Sequence, residues 1–167
     1  MDGMGKVVAW RGRPGANAAI VVPERGIGFV LREANRAFSH ALLERLKPYG
    51  ITFSQWLHLR TLWEEDGLTQ VELARHIGIE KASSTPVLDS LERLKLIRRA
   101  RNPADRRERT IRLTRAGKAM KGTLVPHAIA FNATARRGLK PQDIATFLRV
   151  IHTMVDNLRH AQAARQR

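Results

Sequence analysis

Residues 69–113 constrain this chain most tightly: two short amphipathic helices separated by a glycine, then a basic hairpin. Thr69 and Glu72 have the spacing of a capping box, in which a hydroxyl and a carboxylate satisfy the first free amides of a helix. Leu73, Ala74 and Ile77 give that helix one apolar face, and Gly78 supplies the turn that ends it. A second helix is predicted from about residue 83 to 94, with Val87, Leu88, Leu91 and Leu94 turned inward. Helices this short must share a core, and the pattern is that of a helix-turn-helix. Residues 96–101 then read as a strand, Asn102-Pro103-Ala104-Asp105 as a turn, and residues 108–113 as the returning strand. A basic hairpin directly behind a helix-turn-helix is a wing.

The flanking segments are helical. Ile27, Val30, Leu31, Ala34, Phe38, Ala41, Leu42 and Leu46 recur at three- and four-residue steps until Pro48 and Gly50. Thr52 and Gln55 form another capping box ahead of Trp56, Leu59, Leu62 and Trp63, and Gly67 closes that helix. Thr114 opens a long helix that Pro126 is expected to kink and Gly138 to end. The last helix carries Ile144, Phe147, Leu148, Ile151, Val155 and Leu158 on one stripe. The fold class is therefore mainly α with a small β-hairpin wing: a winged helix-turn-helix over residues 51–114, with a helical dimerisation region from residues 27–50 and 115–160. The stripes on the first and last helices call for a partner, and a second copy of the chain is the expected one. Residues 1–26, rich in Gly and Pro and bearing Lys6, Arg11, Arg13 and Arg25, read as a basic irregular arm, and residues 161–167 as a tail.

Charge narrows the function. Thirty Lys and Arg face fifteen acidic residues, a formal +15 with a pI near 11.6. Such a balance points to a polyanion, nucleic acid first and an anionic membrane surface second. Between Arg93 and Lys121 twelve cations meet only Asp105 and Glu108, so the excess is gathered on the wing and its flanks. That placement favours DNA phosphates, whose neutralisation releases counterions. The chain contains no cysteine, which excludes disulfides and thiolate metal sites. No apolar run approaches a membrane span and no signal peptide is evident, so a cytoplasmic location without membrane partners is expected. The histidines lack metal-ligand spacing, and no phosphate loop or nucleophile elbow occurs. No enzyme activity, metal or cofactor is expected.

The order of elements, Leu68-Thr69-Gln70-Val71-Glu72-Leu73-Ala74, Leu88-Asp89-Ser90-Leu91-Glu92-Arg93 and above all Asn102-Pro103-Ala104-Asp105-Arg106-Arg107 followed by Leu113-Thr114 make the chain resemble the MarR family of bacterial regulators. The resemblance covers about residues 28–160. It implies that Asp105, in the family's Asp-x-Arg wing motif, braces the wing through ion pairs and that Arg107 enters a minor groove. It also implies a homodimer on double-stranded DNA with a pseudo-palindromic operator, the second motif helix in the major groove.

Two departures from the family matter. Pro86 stands in the recognition helix where a basic residue is common, so that helix is expected to start late or bend. Lys95 stands where a glycine is usual. Base reading is then assigned to Lys81, Ser83, Ser84, Thr85 and Ser90, and backbone contact to Arg99, Arg101, Arg106 and Arg109 with the wing pair Asp105 and Arg107. Trp56 and Arg60 lie one helical turn apart, a pairing suited to an aromatic carboxylate. By the resemblance, which places such effectors beside the dimer region, Arg36 and His40 join them. The expected function is a sequence-specific transcriptional regulator, a repressor released by a small aromatic or phenolic acid. The alternative is a nucleoid-like architectural protein of low sequence specificity, which Pro86 and the weak base readers favour.

Overall fold

The computed structural model describes residues 7–9, 21–23, 26–101 and 109–165. The chain divides into two compact units, residues 1–127 and 128–167. The first holds β1 (Val7–Ala9), β2 (Val21–Pro23), α1 (Gly26–Leu46), α2 (Phe53–Glu64), α3 (Gln70–Ile77), α4 (Lys81–Arg93), β3 (Ile97–Arg101), β4 (Arg109–Leu113) and most of α5 (Arg115–Ala135). The second holds the end of α5 and α6 (Pro141–Arg165). The helical content and the two-stranded antiparallel hairpin are those of a winged helix. Within the arm, where irregular chain was expected, β1 and β2 pair antiparallel with Val8 opposite Val22.

Both capping boxes form. Thr52 accepts the Gln55 amide while Gln55 accepts the Thr52 amide, and Thr69 and Glu72 do the same at α3. Glu72 consequently lies below its ordinary carboxylate range, chiefly through its bond from the Thr69 amide. Gly78 ends α3 in the left-handed conformation, φ 79°, and its amide donates to the Ala74 and Arg75 carbonyls of the helix behind it. Helix α4 begins at Lys81, two residues earlier than its sequence pattern suggested, with Pro86 inside it. Lys95 takes φ 57° after α4, alone among the described non-glycine residues in that region. The hairpin registers Ile97 against Leu113 and Arg99 against Ile111.

The core of the first unit is aliphatic. Leu46, Leu59, Leu62, Leu73, Leu88, Leu91, Ile97, Ile111 and Leu124 are all essentially sealed from solvent. Each such side chain contributes about 1.5–3 kcal/mol by leaving water. Leu88 and Leu91 are the α4 members of this set, so their burial sets which side of the helix stays outside. In α6, by contrast, none of the described residues is buried, and Phe147, Leu148, Val155 and Leu158 are exposed. Among the described residues, no helix is long and apolar enough to cross a membrane.

Candidate nucleic-acid interface

Helix α4 is held by polar ties as well as by its apolar face. The Gln55 side-chain amide donates to the Ser90 hydroxyl at 3.0 Å, while its oxygen serves the α2 cap. His58, also on α2, is 1% exposed and faces Ser84, which is 0% exposed, with Nε2 2.9 Å from Oγ. From α3, Gln70 Nε2 donates to Thr85 Oγ1 at 2.7 Å and to the Lys81 carbonyl at 3.2 Å. Lys81, Ser83 and Thr85 remain exposed on the N-terminal half of the helix.

The wing is tied into the same frame. The Ile111 amide donates to the Leu68 carbonyl at 2.7 Å, and the Gly67 amide to the Ile111 carbonyl at 3.0 Å. Thr69 bridges Thr110 just ahead of α3. Arg99, on β3, turns back to Asp89 at 2.6 Å and also pairs with Glu92, both on α4. Partial burial works against the Arg99 charge, yet the bonds to Asp89 and then Glu92 outweigh it and hold the guanidinium above its ordinary range.

The hairpin places cations directly opposite one another. Arg98 faces Arg112, and Arg101 faces Arg109. Like charges across an antiparallel pair are destabilising, so the fold tolerates this arrangement at some cost. Arg98, Arg101 and Arg109 are exposed, and Arg112 lies against Gly67, where an added Cβ would come within 2.6 Å of its guanidinium carbon. Such pairs concentrate positive charge on the hairpin, the kind of surface from which polyanions displace counterions.

The sequence-derived site residues divide on this geometry. Lys81, Ser83, Thr85, Arg101 and Arg109 present to solvent beside α4 and the wing. Ser84 does not: it is a buried partner of His58. Ser90 is half-buried under Gln55, and Arg99 is engaged by carboxylates instead of facing outward. Asp105, Arg106 and Arg107 lie outside the described residues. Gln55, His58 and Gln70 were missed as site-building residues. Gln55 was legible only as a cap, and His58 carries no motif. Trp56 is 3% exposed and packs edge-on to Trp63 with ring centroids 5.7 Å apart. Arg60 is exposed and pairs with Glu64 at 3.3 Å. Arg36 and His40 are exposed on α1, Arg36 at the rim of a depression of about 320 Å³ that Phe29, Arg32 and Glu33 also line.

The MarR family model matches residues 51–108. The HTH-type transcriptional regulator TtmR of Methylorubrum extorquens (strain PA1) is 32% identical over 137 residues, covering 81% of this chain and 68% of the relative. The chain belongs to the MarR family. As a MarR-family protein it is a DNA-binding transcriptional regulator. Its fold likewise matches a transcriptional regulator from Pseudomonas aeruginosa, 30% identical, with a TM-score of 0.70 over 77% of this chain and 96% of that one. BpsR of Bordetella bronchiseptica, 24% identical, superimposes with a TM-score of 0.71 over 77% of this chain and 98% of its own. The family match ends at residue 108, and the paired arginines Arg101 and Arg109 flank residues 102–108, which lie outside the described residues.

Proposed function

We propose that this MarR-family regulator is a homodimeric repressor of a pseudo-palindromic operator, released by a small aromatic carboxylate. The observation that carries the dimer is α6: over 25 residues, none of those described is buried, although Phe147 and Leu158 are 59% and 65% exposed. Soluble monomers rarely leave such a stripe in water. Two copies give two reading helices, and a two-fold protein meets a two-fold site. The domain division proposed is residues 51–114 for DNA and residues 27–50 with 115–160 for the dimer.

The effector class rests on chemistry and on one fold neighbour. The DNA binding of BpsR is regulated by 6-hydroxynicotinic acid, an aromatic acid. In this chain Arg60 already holds a carboxylate, that of Glu64, in solvent. A ligand carboxylate would exchange with it at little desolvation cost, with Arg36 and His40 as further exposed polar groups. Trp56, being buried, would serve as the wall behind Arg60 and not as an open stacking face.

The test is calorimetry of 6-hydroxynicotinate, benzoate and cinnamate against the purified protein, with and without a duplex selected from random DNA. Linkage requires an effector to bind the free protein more tightly than the complex. Light scattering that gives a folded monomer at micromolar concentration removes the dimer; no binding by any of the three acids removes the effector class.

A further inference from the structure

Pro86 weakens the continuity of the reading helix. It has no N–H for the Ala82 carbonyl, and its ring crowds that carbonyl one turn back. The segment before it bears exposed Lys81, Ser83 and Thr85 and begins at Glu80, whose side chain makes no cap bond. Its orientation is therefore set less by the helix backbone than in an uninterrupted helix.

Side chains from other helices supply what the backbone lacks, and they do so on both sides of the proline. His58 Nδ1 lies 2.7 Å from the Ser54 carbonyl, which only accepts, so Nδ1 carries the hydrogen. Nε2 is then a bare acceptor, and the Ser84 hydroxyl donates to it at 2.9 Å. Beyond Pro86, Gln55 holds Ser90. These two attachments to α2 are six residues apart on α4, about 9 Å along the helix. Gln70 of α3 adds exposed bonds to Thr85 and the Lys81 carbonyl, which water can replace, so the buried His58–Ser84 bond is the one a roll cannot exchange. Apolar packing by Leu88 and Leu91 has no direction and tolerates a roll of α4. A buried hydrogen bond does not, because rolling leaves a donor and an acceptor unpaired away from water.

We propose that the His58–Ser84 hydrogen bond determines DNA specificity by fixing the rotation of residues 81–85, and so the direction in which Lys81, Ser83 and Thr85 meet base edges. Both are positioning residues that act through α4 and leave DNA untouched. The inference rests on α4 being the reading helix.

The experiment compares two duplexes of equal length at one salt concentration, one selected from random DNA by the wild-type protein and one scrambled. Ser84→Ala removes the donor at almost no change in volume. It is expected to lower affinity for the selected duplex about ten-fold, the scale of a lost base discrimination, and to leave the scrambled duplex unaffected. His58→Leu combined with Ser84→Ala replaces both partners by apolar groups, which keeps the site folded, and the discrimination is expected to stay low. Folded variants that keep the wild-type ratio overturn the proposal. So does an equal loss on both duplexes, which marks a purely structural role. Lys81→Ala with Ser83→Ala and Thr85→Ala tests the underlying reading separately: an unchanged ratio there shows that this segment of α4 does not read the DNA.

Discussion

A Cβ on Gly117 would sit 2.0 Å from the carbonyl oxygen of Leu96. The start of α5 therefore lies against the chain that enters the wing, and only glycine permits it. The contact is surrounded by directed bonds. Trp63 Nε1 donates to the Gly117 carbonyl at 2.8 Å, and the Gly117 amide donates to Thr114 Oγ1 at 3.0 Å. The Thr114 hydroxyl also reaches the Lys95 carbonyl at 2.6 Å. Gly117→Ala is expected to cost about 1–3 kcal/mol or more, because the obstruction is backbone and cannot rotate away. Gly122→Ala, on the same helix with nothing within 4 Å, is expected to be neutral or stabilising. Thermal melts of the two variants side by side check this, and equal melting temperatures would refute the close approach.

Lys95 is expected to be a stability defect. Its φ of 57° places Cβ against the following carbonyl, a conformation that costs a non-glycine residue about 1 kcal/mol. Its side chain is exposed, and the structure gives it no packing role that would offset the strain. Lys95→Gly should raise the melting temperature by a few degrees, after the entropy glycine adds to the unfolded chain is deducted. A lower melting temperature would mean that the lysine side chain stabilises the turn.

Arg99 and Arg101 stand two residues apart on β3 and are expected to act differently on DNA. Arg99 is neutralised by Asp89 and Glu92, so its charge is already spent within the protein. Arg101 and its cross-strand neighbour Arg109 are exposed and are not balanced across the strand pair. Each phosphate-contacting arginine removed should flatten the logarithmic salt dependence of affinity by about one. Arg101→Ala and Arg109→Ala should show that change. Arg99→Ala should weaken binding through a misplaced wing and leave the slope alone. Titrations between low and moderate salt separate the two, and a reduced slope for Arg99→Ala would place its guanidinium on DNA instead.

Local signals in the sequence carried most of the fold. The capping boxes Thr52/Gln55 and Thr69/Glu72 mark helix starts because each is complete within four residues. Gly78 and the alternating Ile111 and Leu113 are equally local. The start of α4 is not legible from Pro86, which points to a late start: packing of Leu88 and Leu91 carries the helix through the proline, from Lys81. The site was less legible. Ser84 reads like any exposed serine of a reading helix, and its burial depends on His58, 26 residues away. Arg99 is indistinguishable in sequence from Arg98, yet strand alternation turns one toward Asp89 and the other to solvent. Pairings across elements leave no period or spacing to read.

The same histidine predicts how stability depends on pH. Burial holds His58 below its ordinary value of 6.5, and the bond to the Ser54 carbonyl offsets this only in part. The unfolded chain therefore binds a proton that the folded chain refuses, between the lowered value and 6.5. Stability is full above about pH 6.5 and falls as the pH drops below it, at up to about 1.4 kcal/mol per pH unit, until the folded-state value is passed. A protonated imidazole would also aim an N–H at Ser84 Oγ, whose own proton would have to turn away. Glu72 behaves separately: it lies below its ordinary 4.5, so its contribution persists at neutral pH and is lost only as the pH falls through that lower value. Urea midpoints measured from pH 8 to pH 5 should decline for the wild-type protein and decline less for His58→Gln, which still offers Ser84 an acceptor but does not titrate. Parallel curves for the two proteins would mean that His58 is not the group that takes up the proton.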